Sequence, residues 1–133
     1  MNLPHLEFNK ITYCGIRDID DFERATIDKH NIRVCNPEDT VEFIRTLNKP
    51  MHISFDVDAM DPTLIDSTGT KVDGGLFADE VKDIIEAGLN SKNLVSLDVV
   101  EFNTELGDKE ASFRNLKEVF VSDREVCYMS DTA

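Results

Sequence analysis

The sequence is poor in positive charge: 14 lysines and arginines stand against 27 aspartates and glutamates, a formal net charge of −13. Such a surface repels a phosphate backbone or an anionic membrane, so nucleic-acid binding and membrane attachment are not expected. Long hydrophobic runs are missing too. No stretch approaches the roughly 20 apolar residues that span a bilayer, and the opening MNLPHLEFNK lacks the basic-then-apolar order of a signal peptide. Cysteine is scarce. Cys14, Cys35 and Cys127 are odd in number and far apart, which argues against a disulfide framework or a CxxC zinc or redox site and leaves buried free thiols as the expectation. His5, His30 and His52 form no His-x-x-x-His pair, so a histidine-rich metal centre cannot be built from this chain alone. These absences imply a soluble protein of the cytoplasm.

What is present suits a single domain over residues 1–133. Hydrophobic positions make up 41% and charged ones 31%, enough for a chain of this size to bury roughly two-thirds of its unfolded surface. Repeats, low-complexity tracts and linkers are absent. Short apolar runs alternate with segments of helical period. Residues 11–16 (ITYCGI) read as a strand, and Asp18 or Asp20 can cap a helix running to about Lys29. Residues 32–35 form a second strand; Pro37 and Glu38 then open a helix whose Val41, Ile44 and Leu47 face inward. Residues 51–57 (MHISFDV) read as a central strand, followed by a polar loop over 58–75. A helix over 77–89, with Gly88 as its terminator, a buried strand over 94–100 and a helix over 111–121 complete the chain. Strict alternation of strand and helix predicts a three-layer α/β architecture, a parallel sheet with helices on both faces. Ligands in such sheets gather at the carboxyl ends of strands, which singles out residues 56–58 and Glu101.

Asp56 and Asp58 stand two apart at the end of an apolar strand, and in extended chain such side chains point the same way. Two carboxylates so close repel, and Ile53, Phe55 and Val57 desolvate them; a divalent cation would keep both ionised, with hard oxygens suiting manganese, magnesium or calcium. The plainer alternative is that Asp58 and Asp61 organise the turn before Pro62. An EF-hand is excluded, because its fifth and sixth positions would be Met60 and Asp61 where Asp or Asn and then Gly are required.

The stretch SFDVDAMDP (residues 54–62), TGT at 68–70, GGL at 74–76 and SLDVVEFNTELG at 96–107 resemble, in that order and spacing, the C-terminal half of an arginase of the ureohydrolase family. YCGIRDID at 13–20 is similar to an arginase strand ending in Gly-[LIV]-Arg-Asp. The resemblance runs from about Tyr13 to about Val121 and implies an arginase-like fold, in part. It also implies a binuclear manganese site that activates water for attack on the guanidinium carbon of L-arginine, giving ornithine and urea. By position, Asp56 matches the aspartate that bridges the two metals and Asp58 the one that binds a single metal. Glu101 matches the glutamate that holds the guanidinium, and Thr70 a threonine lining the same pocket.

The same resemblance assigns two histidines, two further aspartates and a histidine proton shuttle to N-terminal sequence that this chain does not contain. His52 does not replace them; it is expected to be core-facing or hydrogen-bonded. Asp79 stands where many arginases carry an arginine used in trimer contacts, which puts that route to a trimer in doubt. Two readings follow. In one, the chain supplies part of an arginase site and is inactive alone. In the other it is a non-catalytic remnant or interaction module. Either way a half-sheet exposes an edge open to association with another chain.

Overall fold

A computed structural model describes residues 4–121. After a 3-10 turn at Phe8–Lys10, the elements are β1 (Thr12–Cys14), α1 (Asp21–His30), β2 (Arg33–Cys35), α2 (Pro37–Thr46), β3 (Met51–Asp56), a 3-10 turn at Val57–Ala59, α3 (Ala78–Asn90), β4 (Leu94–Val100) and α4 (Lys109–Glu118). Every strand is followed by a helix or, for β3, by a turn and loop before α3. That order carries the expected parallel α/β character.

The helix starts follow from their capping residues. Asp20 accepts a hydrogen bond from the Glu23 amide at 2.7 Å while the Glu23 carboxylate accepts one from the Asp20 amide at 2.8 Å, a reciprocal box worth on the order of 1 kcal/mol. Asp20, not Asp18, is therefore the cap. Asn36 caps α2 ahead of Pro37 by a single bond, its Oδ1 accepting from the Asp39 amide, and Asp108 caps α4, which begins two residues before the expected Ala111 and ends at Glu118. Gly88 does not terminate α3, as its sequence position suggested. It lies buried within the helix, where a Cβ would sit 2.5 Å from Ile53 Cδ1, so its smallness lets α3 lie close on β3.

The strands form two parallel ladders, β1 with β2 and β3 with β4. Among the described residues the ladders share no strand-to-strand hydrogen bonds, so each strand has one unpaired edge. In the second ladder, Leu94 and Leu97 are three apart and would face opposite sides of a regular strand. A register shift after Met51 leaves Val95 as an extra residue, so Met51 pairs with Leu94 but His52 with Ser96, and both leucines stay on one side. That side carries Phe55 into a core of Val57, Met60, Ile65, Val81, Ile85 and Val119, with Leu97 and Phe120 packed against it. Each fully buried member contributes about 1.5–3 kcal/mol. The opposite side of this ladder, bearing His52, Ser54, Ser96 and Asp98, is exposed, as is Val95 at 73%. The expectation that β4 is a buried strand is thus met only in part, because among the described residues α3 and α4 cover a single face of the ladder. Cys14 and Cys35 are half-buried free thiols; Cys127 lies outside the described residues. No described helix is long and apolar enough to cross a membrane.

Candidate active site

β3 ends at Asp56, and the chain turns at once into the 3-10 turn that holds Asp58. Asp56 Oδ1 accepts a hydrogen bond from the Asp58 amide at 3.0 Å. The two carboxylates are therefore neighbours because of a turn, not because both extend from one strand face as their spacing suggested. Asp58 is only partly exposed, and its carboxyl is pushed up from 3.8 to about 6, first by desolvation, then by its hydrogen bond with Asp56 and by the Asp56 charge. Glu101 adds to the rise and Arg17 opposes it. Asp56, Asp58 and Glu101 thus share one electrostatic neighbourhood at the carboxyl ends of β3 and β4.

The register shift in β4 contributes to that arrangement. It pairs Asp56 with Val100, so the two strands run out side by side and Glu101 emerges next to the Asp56 turn. Glu101 has φ of 66°, a left-handed conformation that costs a non-glycine residue about 1–3 kcal/mol and clusters at functional sites. Thr70, by contrast, is exposed and has no hydrogen bond with any described residue. His52 is hydrogen-bonded and not core-facing: Nδ1 lies 2.6 Å from Ser96 Oγ and Nε2 3.4 Å from Asp98 Oδ2.

Turn organisation falls to Asp61. This buried residue accepts from the Thr63 amide (3.0 Å) and hydroxyl (2.7 Å) and from the Gly74 and Gly75 amides (3.2 Å each), and the Thr63 hydroxyl first among these holds its carboxyl below the ordinary range. The loop closes so tightly that a Cβ on Gly75 would overlap the backbone of Met60 and Asp61, which explains the glycine of the GGL triplet. Asp58 makes no such turn bonds, so the alternative that Asp58 and Asp61 serve one structural purpose separates into two roles.

Arg17 has no role in the sequence reading beyond its place in GIRD, yet its half-buried guanidinium reaches the Asp58, Ala59 and Val72 carbonyls. Only an arginine one residue before Asp18 hinted at it; its partners are 41 to 55 residues away. A concavity of about 550 Å³ between the ends of α2 and α3 is lined by Leu47, Glu86 and Asn93, at the amino ends of β3 and β4 and away from the carboxylates. The carboxylate end is the one where open parallel sheets bind ligands.

Residues 1–122 match the sequence profile of the arginase family. The chain belongs to the arginase family. It is 35% identical to an arginase of Schizosaccharomyces pombe over 118 residues, covering 79% of this chain and 36% of that protein. An arginase of Glaciozyma antarctica is 40% identical over 119 residues, covering 78% of this chain and 34% of the relative. The chain thus spans about a third of the length of these arginases. The solved structure of Entamoeba histolytica arginase in complex with L-ornithine superposes with a TM-score of 0.74 at 30% identity, covering 83% of this chain and 41% of that one. Bacillus caldovelox arginase, at 21% identity and a TM-score of 0.76, shares the fold. Arg17, Asp56, Asp58, Thr70 and Glu101 all lie within the family match.

The donors suit an arginase metal in kind but not in number. Two carboxylate oxygens are hard donors appropriate to manganese, yet among the described residues no three His, Cys, Asp or Glu side chains gather as a metal-holding group.

Proposed function

We propose that this chain supplies part of the site for arginase-like, manganese-dependent hydrolysis of the guanidino group of L-arginine to ornithine and urea. The observation that carries the reading is the convergence of Asp56, Asp58 and the left-handed Glu101 at the carboxyl ends of two paired strands. Asp56 and Asp58 would hold manganese, whose Lewis acidity lowers the pKa of water and supplies the nucleophile. Glu101 binds the planar cation by charge-assisted, two-point hydrogen bonding and sets the orientation of its central carbon. Thr70 lines the pocket that receives the substrate. Mutual repulsion of Asp56 and Asp58, felt as the raised Asp58 carboxyl, is relieved when a cation binds. That the Entamoeba relative is solved with L-ornithine supports a substrate of this chemistry.

The chain on its own is proposed to be inactive, since the described residues gather too few ligands. A non-catalytic interaction role is favoured by that same shortage. Association with another chain through an unpaired strand edge is proposed as the way a complete site arises, in a cytoplasmic setting that three cysteines without paired spacing support. The test is urea release from L-arginine with manganese, measured on the chain alone and with the remaining arginase segment co-expressed. Release that needs both parts and vanishes in Asp56→Asn supports the reading. Absence of release from the pair, with both parts folded and associated, leaves the interaction role.

A further inference from the structure

Arg17 follows β1 and reaches across to the loop at the end of the other ladder. Its Nε and one Nη donate to the Val72 carbonyl at 3.0 and 2.5 Å; that Nη also donates to the Asp58 carbonyl at 2.9 Å, and the other Nη to the Ala59 carbonyl at 3.2 Å. Longer contacts of 3.4 Å reach the Gly15 and Met60 carbonyls. Carbonyl oxygens thus occupy the whole guanidinium fork, all five of its N–H donors. A guanidinium close enough to act on the Asp58 carboxyl would ordinarily form a bidentate ion pair with it. Here it does not: among the described residues no lysine or arginine is ion-paired with a carboxylate, the single close pair being His52 with Asp98.

We propose that Arg17 is a positioning residue, a clamp that ties the turn holding Asp58 to the loop holding Thr70 through backbone carbonyls alone. The two segments then move as one piece, and the carboxylates remain unpaired for a cation. Tying two loops through three carbonyls needs a planar fork; a lysine ammonium is a point charge with three donors and a longer reach to fill, and methionine offers none. The clamp is independent of what the carboxylates bind, whereas its consequence for manganese rests on the function proposed above.

Residue-resolved amide exchange, thermal unfolding and manganese titration on the full chain, in wild type, Arg17→Met and Arg17→Lys, separate the two. In Arg17→Met the Asp61, Gly74, Gly75 and Leu76 amides should exchange about tenfold faster or more while the amides of α2 and α3 keep their protection, with Arg17→Lys in between. Manganese affinity should fall about threefold to tenfold in parallel. Unchanged exchange over 57–76, or a uniform rise across the chain, overturns the clamp. If wild type binds no manganese while the local exchange effect is present, the clamp stands and only its consequence for manganese in the isolated chain falls. Should the variants not fold, the wild-type Arg17 guanidinium still decides: hindered rotation, seen as separate slowly exchanging Nη resonances, is expected, and averaged resonances overturn the proposal.

Discussion

At the scale of single residues, substitutions at Glu101 and Asp58 test the proposed division between substrate binding and metal binding. Glu101→Gln keeps size and shape but removes the charge facing a guanidinium, so turnover in the completed site should fall about tenfold to a hundredfold, the equivalent of roughly 1.5–3 kcal/mol. Manganese content should not change. If the substitution strips the metal, Glu101 is a ligand and the division of roles is wrong. Asp58 sets a pH dependence. Its carboxyl titrates near 6 in the fold against 3.8 ordinarily, so the folded state holds a proton that the unfolded state has lost between those values. This carboxyl therefore stabilises the metal-free fold fully below about pH 4, and that stabilisation is lost as pH rises through about 6. Partial solvent screening limits the effect to about 1 kcal/mol. Melting curves across this range should show the dependence in wild type and lose it in Asp58→Asn. Manganese, which requires the ionised carboxylate, should run the other way and bind more tightly as pH rises through about 6.

At the scale of elements, the packing of the Asp61 loop and of α4 makes two demands that substitution can expose. A methyl group on Gly75 meets Met60 and Asp61 backbone, which cannot rotate aside, so Gly75→Ala should cost about 1–3 kcal/mol or more. Buried Ser112 on α4 bonds the Asp66 and Ser67 amides and the Asp66 carboxylate, and Ser112→Ala, which orphans those amides, should cost about 1–3 kcal/mol in denaturant titration. A loss under a few tenths in either would mean that the loop relaxes around the change. Both positions show where sequence reasoning reaches and where it stops. Alternation of apolar runs and helical spacing placed every strand and helix, because those periods are local. Ser112 carried no local signal, since its partners lie 45 and 46 residues away. The direction of Asp58 was misjudged because the chain leaves extended geometry at Val57, one residue earlier than its apolar character suggests. Gly88 was assigned to a helix end because a sequence cannot show Ile53 lying across it. The bulge at Val95 was equally hidden, although the odd spacing of Leu94 and Leu97 was its trace. Family resemblance marked Asp56, Asp58, Thr70 and Glu101; in the structure Asp56 and Glu101 both act on the Asp58 carboxyl, while Thr70 is exposed and has no hydrogen bond with any described residue.

At the scale of the whole molecule, two opposing terms decide whether the chain meets a partner. Among the described residues each ladder has two strands, which are marginal as isolated pairs, and each strand has an unpaired edge that another strand can satisfy. Among the described residues one face of the second ladder is also uncovered, with Val95, Ser96 and Asp98 exposed. Against this stands the net charge of −13, which repels a second copy over about 30 Å at 0.01 M salt but over only about 8 Å at 0.15 M. Self-association followed by sedimentation should therefore strengthen as salt rises, and a clean monomer at high concentration in both conditions would count against open edges. A complementary arginase segment differs from a second copy in what it brings. It can pair with the same edges and add the metal ligands that the described residues lack, so association and manganese affinity should rise together. Mixing the chain with that segment should raise manganese affinity by about tenfold or more as ligands are added to Asp56 and Asp58. Asp56→Asn should abolish that gain and the urea release while leaving the two parts associated, because in the proposed site this strand-end carboxylate would serve the metal and the backbone the ladder. Loss of association in Asp56→Asn would show that the metal assembles the chains; undiminished urea release would show that Asp56 holds no essential metal.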